Sequence, residues 1–223
     1  MAEAPKEIVI SESQIISGSV LTAGQQAELT PDMVISYLKK GNEDYVNGNL
    51  VVRNSSLQTR DASMGQYPGA VVLSCLDSRV PVEDVFRRGI GDVFVARVAG
   101  NVVNEDILGS MEYGCKVSGA KLIVVLGHEY CGAIQSAIDD VKLGNITGLL
   151  AKIRPAVDDL ADFQGIRTSA NPEFVAAVCK KNVYLSIATI RKNSPVLREM
   201  EETGVIKIIG AIYDMKTGKV AFL

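Results

Sequence analysis

Three side chains of the soft metal-ligating kind stand where strands deliver chemistry: Cys75, His128 and Cys131. Cys75 ends the apolar run Val71-Val72-Leu73-Ser74, and His128 ends Leu122-Ile123-Val124-Val125-Leu126-Gly127. An apolar, largely β-branched run that stops abruptly at polar groups is the pattern of a buried parallel strand presenting its carboxyl end to a ligand. A single histidine is usually an ordinary surface or core residue, but His128 follows a strand and a glycine and lies three residues before Cys131. Two sulfurs and one imidazole nitrogen describe a zinc site. Catalytic sites have three protein ligands plus water, whereas structural sites normally have four protein ligands. Asp77 is the nearest fourth ligand. Arg79, two residues further on, is able to hold that carboxylate off the metal in a bidentate ion pair, so the sequence leaves the site open or closed. With no second histidine, a tyrosine, a carboxylate, water or buffer must take any proton released.

Cys75-Leu76-Asp77-Ser78-Arg79-Val80, Gly91-Asp92-Val93-Phe94-Val95-Ala96-Arg97-Val98-Ala99-Gly100-Asn101 and Gly127-His128-Glu129-Tyr130-Cys131-Gly132-Ala133 follow one another in an order and at spacings that resemble the β-class carbonic anhydrases. The resemblance runs from about residue 31 to the C-terminus. It implies zinc on Cys75, His128 and Cys131, and reversible hydration of carbon dioxide to bicarbonate and a proton. It further implies that Asp77 accepts a hydrogen bond from the reacting hydroxide and aims its lone pair at carbon dioxide, while Arg79 fixes the carboxylate. Gln66, Phe94 and Tyr113 match positions that form a narrow apolar pocket in plant-like members, with Gln66 bonding a bicarbonate oxygen and the two rings lining the wall. Gly132 would offer its backbone N–H to the same anion. Glu129 and Tyr130 are larger than the residues common between these ligands, and Val98 stands where asparagine is frequent. The chain has no tryptophan, so the second, non-catalytic bicarbonate site that uses one in some bacterial members finds no support.

The 223 residues fit one large α/β domain, enough to bury roughly 70% of the surface an unfolded chain exposes. A net charge of −3 with 47% apolar residues offers no basic footprint for nucleic acid, which favours a small-molecule partner. No apolar run approaches the roughly 18 residues needed to span a bilayer, so no membrane partner is expected. Met1 to Glu7 has neither a basic nor an apolar signal region, which leaves the compartment open between the cytoplasm and, with an export signal removed, the periplasm. Two of the four cysteines belong to the metal constellation, so disulfides are not expected. Cys115 and Cys179 read as small buried hydrophobes in helices.

The elements that must position these groups are strands alternating with helices, which give a mostly parallel sheet flanked by helices. Residues 1–29 show no sustained period and read as an arm ahead of a single domain over 30–223; the resemblance implies that it wraps a partner subunit. Thr30-Pro31 starts a helix with Met33, Ile35, Leu38, Tyr45 and Val46 at helical spacing. A polar helix is expected within 54–64, and Pro81 opens a short helix ending near Arg88. Val93 to Val98 reads as a strand buried on both faces. Asn104 caps a helix running to about Ser118. Helices follow over 131–142, 145–153, from Asn171-Pro172 to about Arg191, and up to Gly204. Val205 to Tyr213 and Val220 to Leu223 flank a turn-rich connection and predict a closing antiparallel hairpin at the sheet edge.

The expected activity is therefore zinc-dependent carbon dioxide hydration by a homodimer or higher even oligomer. Carbon disulfide or carbonyl sulfide hydrolysis on the same fold is one alternative, and a structural zinc protein with Asp77 as permanent fourth ligand is another. A cysteine phosphatase is disfavoured, because only three residues separate Cys75 from Arg79, too short a loop to cradle phosphate.

Overall fold

The computed structural model describes residues 20–49 and 53–223. Five strands, β1 (Ala70–Ser74), β2 (Val93–Arg97), β3 (Leu122–His128), β4 (Lys207–Tyr213) and β5 (Val220–Phe222), form one sheet in the order β2-β1-β3-β4-β5. The first four run parallel and β5 returns antiparallel on β4. This is the architecture the alternation of strand and helix patterns predicts, including the closing hairpin. Asp214 accepts from the N–H groups of Lys216 and Thr217 at 2.7 and 3.2 Å to shape its turn, and Gly218 takes φ +75°.

Each central strand buries both faces, and side-chain alternation sorts its residues into two layers. Ala70, Val72, Leu122, Val124 and Leu126 face α2 (Pro31–Val46) and α4 (Val82–Val85), with Phe86 between them. Val71, Leu73, Ile123 and Val125 face α5 (Glu105–Glu112), α9 (Pro172–Asn193) and α10 (Pro195–Glu202). All seven residues of β3 are buried. At about 1.5–3 kcal/mol for each large apolar side chain removed from water, its aliphatic run anchors His128 in a fully buried strand.

The expected caps form. Thr30 Oγ1 accepts from Met33 N, Asn104 Oδ1 from Ile107 N and Asn171 Oδ1 from Glu173 N. The buried face of α2 is nevertheless Val34, Leu38, Gly41 and Asn42, and Met33 and Val46 are exposed. Close approach decides this. A Cβ at Gly41 would lie 2.0 Å from the Phe86 carbonyl oxygen, and Asn42 bonds Val85 O, Gly218 O and Val220 N.

One further expectation is corrected, and the structure adds detail to three others. β2 is half-buried with an exposed Arg97, because among the described residues it pairs only with β1. The helix expected to Ser118 is α5 followed by a wider π turn over Tyr113–Val117. There Gly114 lets the chain lie against Val71, whose Cγ2 a Cβ would meet at 2.6 Å. The two helices expected over 131–153 are α6 (Gly132–Ile138) and α7 (Gly144–Leu150), separated by a turn with Asp140 at φ +53°, and α8 (Arg154–Asp158) follows. Within the expected arm, residues 1–19 lie outside the described residues. In the remainder, α1 (Ala23–Glu28) has a Thr22–Gln25 capping box, and Gln26 donates to Pro68 O and Ser118 O at 2.8 and 2.7 Å. The polar helix within 54–64 forms as α3 (Ser55–Asp61), continued by a 3₁₀ turn over Ala62–Met64. Among the described residues no helix is long and apolar enough to cross a membrane.

Candidate metal centre

Because β1 and β3 are adjacent and parallel, with Ser74 opposite Leu126, Cys75 and His128 emerge from the same end of the sheet. Cys131 must turn back to meet them. Tyr130 provides the turn at φ +53°, a conformation that costs a non-glycine residue of order 1 kcal/mol and that survives only where its surroundings hold it. One such hold is Arg79, whose guanidinium donates to the Tyr130 carbonyl at 3.4 Å.

The ligand atoms of Cys75, His128 and Cys131 then lie within 4.8 Å of one another, all three residues buried. The two sulfurs are 3.8 Å apart. His128 Nδ1 sits 2.8 Å from the Glu129 carbonyl oxygen; the ring N–H donates there, so Nε2 carries the lone pair. Nε2 is buried and has no hydrogen-bond partner. An unpartnered imidazole nitrogen facing two thiols is a costly arrangement for a core and an ordinary one for a metal site.

The electrostatics agree. The Cys75 thiol is pulled down to about 4, chiefly by the hydrogen bond from Cys131, with backbone help that includes the Gly100 N–H. Cys131 is driven up, first by that same contact and then by burial. Two unit charges about 4 Å apart repel by roughly 4 kcal/mol even at an effective dielectric constant of about 20. Both sulfurs can therefore be thiolates together only with a cation between them. The donor set, two sulfurs and one imidazole nitrogen, suits zinc.

Asp77 lies at the edge of this cluster, with Oδ2 3.9 Å from His128 Nε2. Arg79 grips it in a fork: Nε to Oδ1 at 2.9 Å, Nη2 to Oδ2 at 2.7 Å, with the Arg79 backbone N–H adding 3.0 Å to Oδ1. That side-chain pairing holds the Asp77 carboxyl down at about 2, against a smaller opposing effect of burial.

The outer residues divide. Phe94 and Tyr113 come together, lining a groove of about 590 Å³ with Val71, Val95, Ala96, Glu105, Asp106, Gly109 and Ser110. That groove runs along β2 and includes none of the three metal-site residues. Gln66 is exposed in the loop before β1, beside Gly91, and is not brought to the cluster within this chain. Gly132 is exposed and opens α6 directly after Cys131. Cys115 and Cys179 are buried as expected, and burial pushes both thiols up to about 12.

Three residues that sequence reasoning did not assign also support the site, two by contact and one through a neighbour. Arg97 donates to the backbone carbonyls of Cys75 and Asp77 at 3.1 and 2.5 Å, fixing the loop that carries both. Gly100 N–H donates to Cys75 Sγ at 3.3 Å, and Asn182 of α9 holds the Gly100 carbonyl at 2.8 Å. The one local signal for Asn182 is an amide within the apolar stripe Val178, Cys179, Val183 and Ile187.

A mostly parallel sheet that gathers a Cys-His-Cys set at its carboxyl ends defines an α/β protein with a candidate metal site. A family model described as carbonic anhydrase matches residues 70–220. Carbonic anhydrase 2 of Mycobacterium tuberculosis is 34% identical over 183 residues, covering 82% of this chain and 87% of its own length. Among solved structures, the β-carbonic anhydrase CafA of Aspergillus fumigatus aligns with a TM-score of 0.67 at 25% identity, covering 86% of this chain and 89% of its own. A tetrameric β-carbonic anhydrase of Sordaria macrospora shares the fold, with a TM-score of 0.66 at 23% identity over 85% of this chain and 96% of its own. The chain belongs to the carbonic anhydrase family, in its β class. Hydration of carbon dioxide is the general reaction of that family.

Proposed function

We propose that this chain hydrates carbon dioxide reversibly at a zinc ion held by Cys75 Sγ, His128 Nε2 and Cys131 Sγ. The observation that carries this reading is the buried cluster itself, with its unpartnered imidazole nitrogen and a carboxylate poised 3.9 Å away. When bound, zinc supplies a Lewis acid that lowers the pKa of water from about 15.7 towards 7, making hydroxide available near neutral pH.

The protein residues do the positioning. Asp77 stays ionised across the working range because Arg79 holds its carboxyl at about 2, so it can only accept a hydrogen bond. It receives one from the attacking oxygen and turns that oxygen's lone pair towards carbon dioxide. Arg79 keeps Asp77 from swinging onto the cluster as a closing fourth ligand, which supports an open, catalytic site over a structural one. Phe94 and Tyr113 line a groove on the open edge of β2, away from this chain's own cluster. Their expected part as pocket wall is therefore best met if a second copy of the chain receives them, together with Gln66. Gly132 offers its N–H to a bicarbonate oxygen beside Cys131.

Stopped-flow carbon dioxide hydration coupled to metal analysis tests the reading. The purified protein is expected to carry zinc in proportion to active sites and to lose hydration activity when the metal is stripped. Full activity in zinc-free protein would overturn it.

A further inference from the structure

Cys75 is not aimed by its own strand alone. Its sulfur accepts the Gly100 N–H at 3.3 Å, and Gly100 belongs to a turn whose two consecutive residues are left-handed, Gly100 at φ +69° and Asn101 at φ +42°. Glycine has wide backbone freedom, so the direction of its N–H depends on what holds its other side. That hold comes from α9. Asn182 Nδ2 donates to the Gly100 carbonyl at 2.8 Å, and one helical turn on, Ser186 Oγ donates to the Asn101 carbonyl at 3.1 Å.

Both donors are buried, at 1% and 3% exposure, among Val178, Cys179, Val183 and Ile187. An amide is a poor filler for such a stripe. Asn182 Oδ1 is itself buried without a partner, a cost that an apolar residue of similar volume would not carry. Glycine is also demanded at position 100 by space, since a Cβ there would lie 2.6 Å from Ile153 Cδ1. The turn is thus pressed from one side by Ile153, just before α8, and pinned from the other by α9.

We propose that Asn182 is a positioning residue for the metal centre. By holding the Gly100 carbonyl it fixes the Gly100 N–H on Cys75 Sγ, and so sets how much negative charge that sulfur donates to a bound metal. An N–H···S bond withdraws charge from a thiolate, and a charge-assisted bond of this kind is stronger than a neutral one. The inference rests on the metal-binding reading of Cys75, His128 and Cys131, and assigns to α9 a share in tuning it.

The test uses cobalt(II) in place of zinc, because sulfur-to-cobalt charge-transfer absorption reports the donor energy of the thiolates directly. In the Asn182→Leu protein the band is expected to move to longer wavelength, and chelator is expected to strip the metal several-fold faster. Ile190→Val, a truncation in the same helix that leaves the turn alone, is expected to keep the parental band. A parental band in Asn182→Leu overturns the proposal, whatever its melting temperature. If Asn182→Leu does not fold, Ser186→Ala removes the weaker bond of the same turn: a smaller shift in the same direction supports the proposal and no shift overturns it. Absence of any sulfur-to-cobalt band in the parent protein would instead sink the metal-binding reading itself.

Discussion

The two sulfurs of Cys75 and Cys131, 3.8 Å apart, make ligand loss severe. Removing one of three protein donors leaves the remaining thiolate and imidazole too few for tight zinc binding. Cys75→Ser, His128→Ala and Cys131→Ser are each expected to lose most of their zinc on dialysis, read by metal analysis of the folded proteins. Asp77 sits outside that set and should behave differently. Asp77→Asn is expected to retain zinc while losing about 10²–10³ in kcat, the usual scale for removing one preorganised hydrogen-bonding group. Arg79→Ala releases the Asp77 carboxylate towards the cluster, with a similar loss of activity and zinc again retained. The sign of the pH effect follows from the depressed Asp77 pKa. Its ionised form is favoured above the ordinary aspartate range and is lost only as pH falls through about 2, so Asp77 does not titrate between pH 5 and 9 while it stays on Arg79. A rise in activity with pH across that window reports another group. If Asp77 instead leaves Arg79 for the cluster at low pH, structures at pH 6 and pH 9 will show it in two places; a single position rules that movement out.

Between the residues and the whole sheet, glycines decide how closely elements approach. Gly127, directly before His128, has Val183 Cγ2, Ile212 Cδ1 and Cys179 Sγ at 2.7, 3.0 and 3.1 Å from where a Cβ would stand. Gly127→Ala should push β3 away from α9, costing about 1–3 kcal/mol by chemical denaturation and weakening zinc retention, because His128 moves with the strand. No such effect is expected at Gly109, where a Cβ meets nothing within 4 Å. This contrast explains what was legible in the sequence. The continuous apolar runs before Cys75 and His128 gave away buried parallel strands, and Thr30, Asn104 and Asn171 marked helix starts, because both signals are local. The face α2 buries was not legible, since it depends on Gly41 meeting a carbonyl of Phe86, 45 positions further on. Asn182 stayed hidden for the same reason: its partner, Gly100, is 82 residues away. The break between α6 and α7 was expected, but its earlier start at a left-handed Asp140 was not, because composition does not announce that choice.

At the scale of the molecule the sheet is asymmetric. β4 is covered by the returning β5, whereas β2 pairs on one side only among the described residues. Its Val93-Phe94-Val95-Ala96 run carries no charge or proline before Arg97. Such an edge is a liability for a solitary chain, and natural proteins normally blunt or cover it. The expectation that β2 is buried on both faces is contradicted in the single chain, and a second copy against this edge would restore it. An open apolar edge of this kind makes an even oligomer, with a second copy on β2, the natural proposal. Because α1 is tied to the domain through Gln26, the later part of the expected arm over 1–29 packs on this chain's own domain. Deleting residues 1–29 should weaken association more than it disturbs zinc. The sharper test is Gly109→Arg, which places a large cation in the Phe94–Tyr113 groove without meeting the chain's own core. Light scattering is expected to show smaller particles than the parent at equal concentration, with zinc intact. Activity should fall by about 10²-fold, the scale of misplacing groups around a reacting centre by about 1 Å. A Gly109→Arg protein that is monomeric and fully active would show that each chain completes its own pocket, and would end the proposal that Phe94 and Tyr113 serve a neighbour.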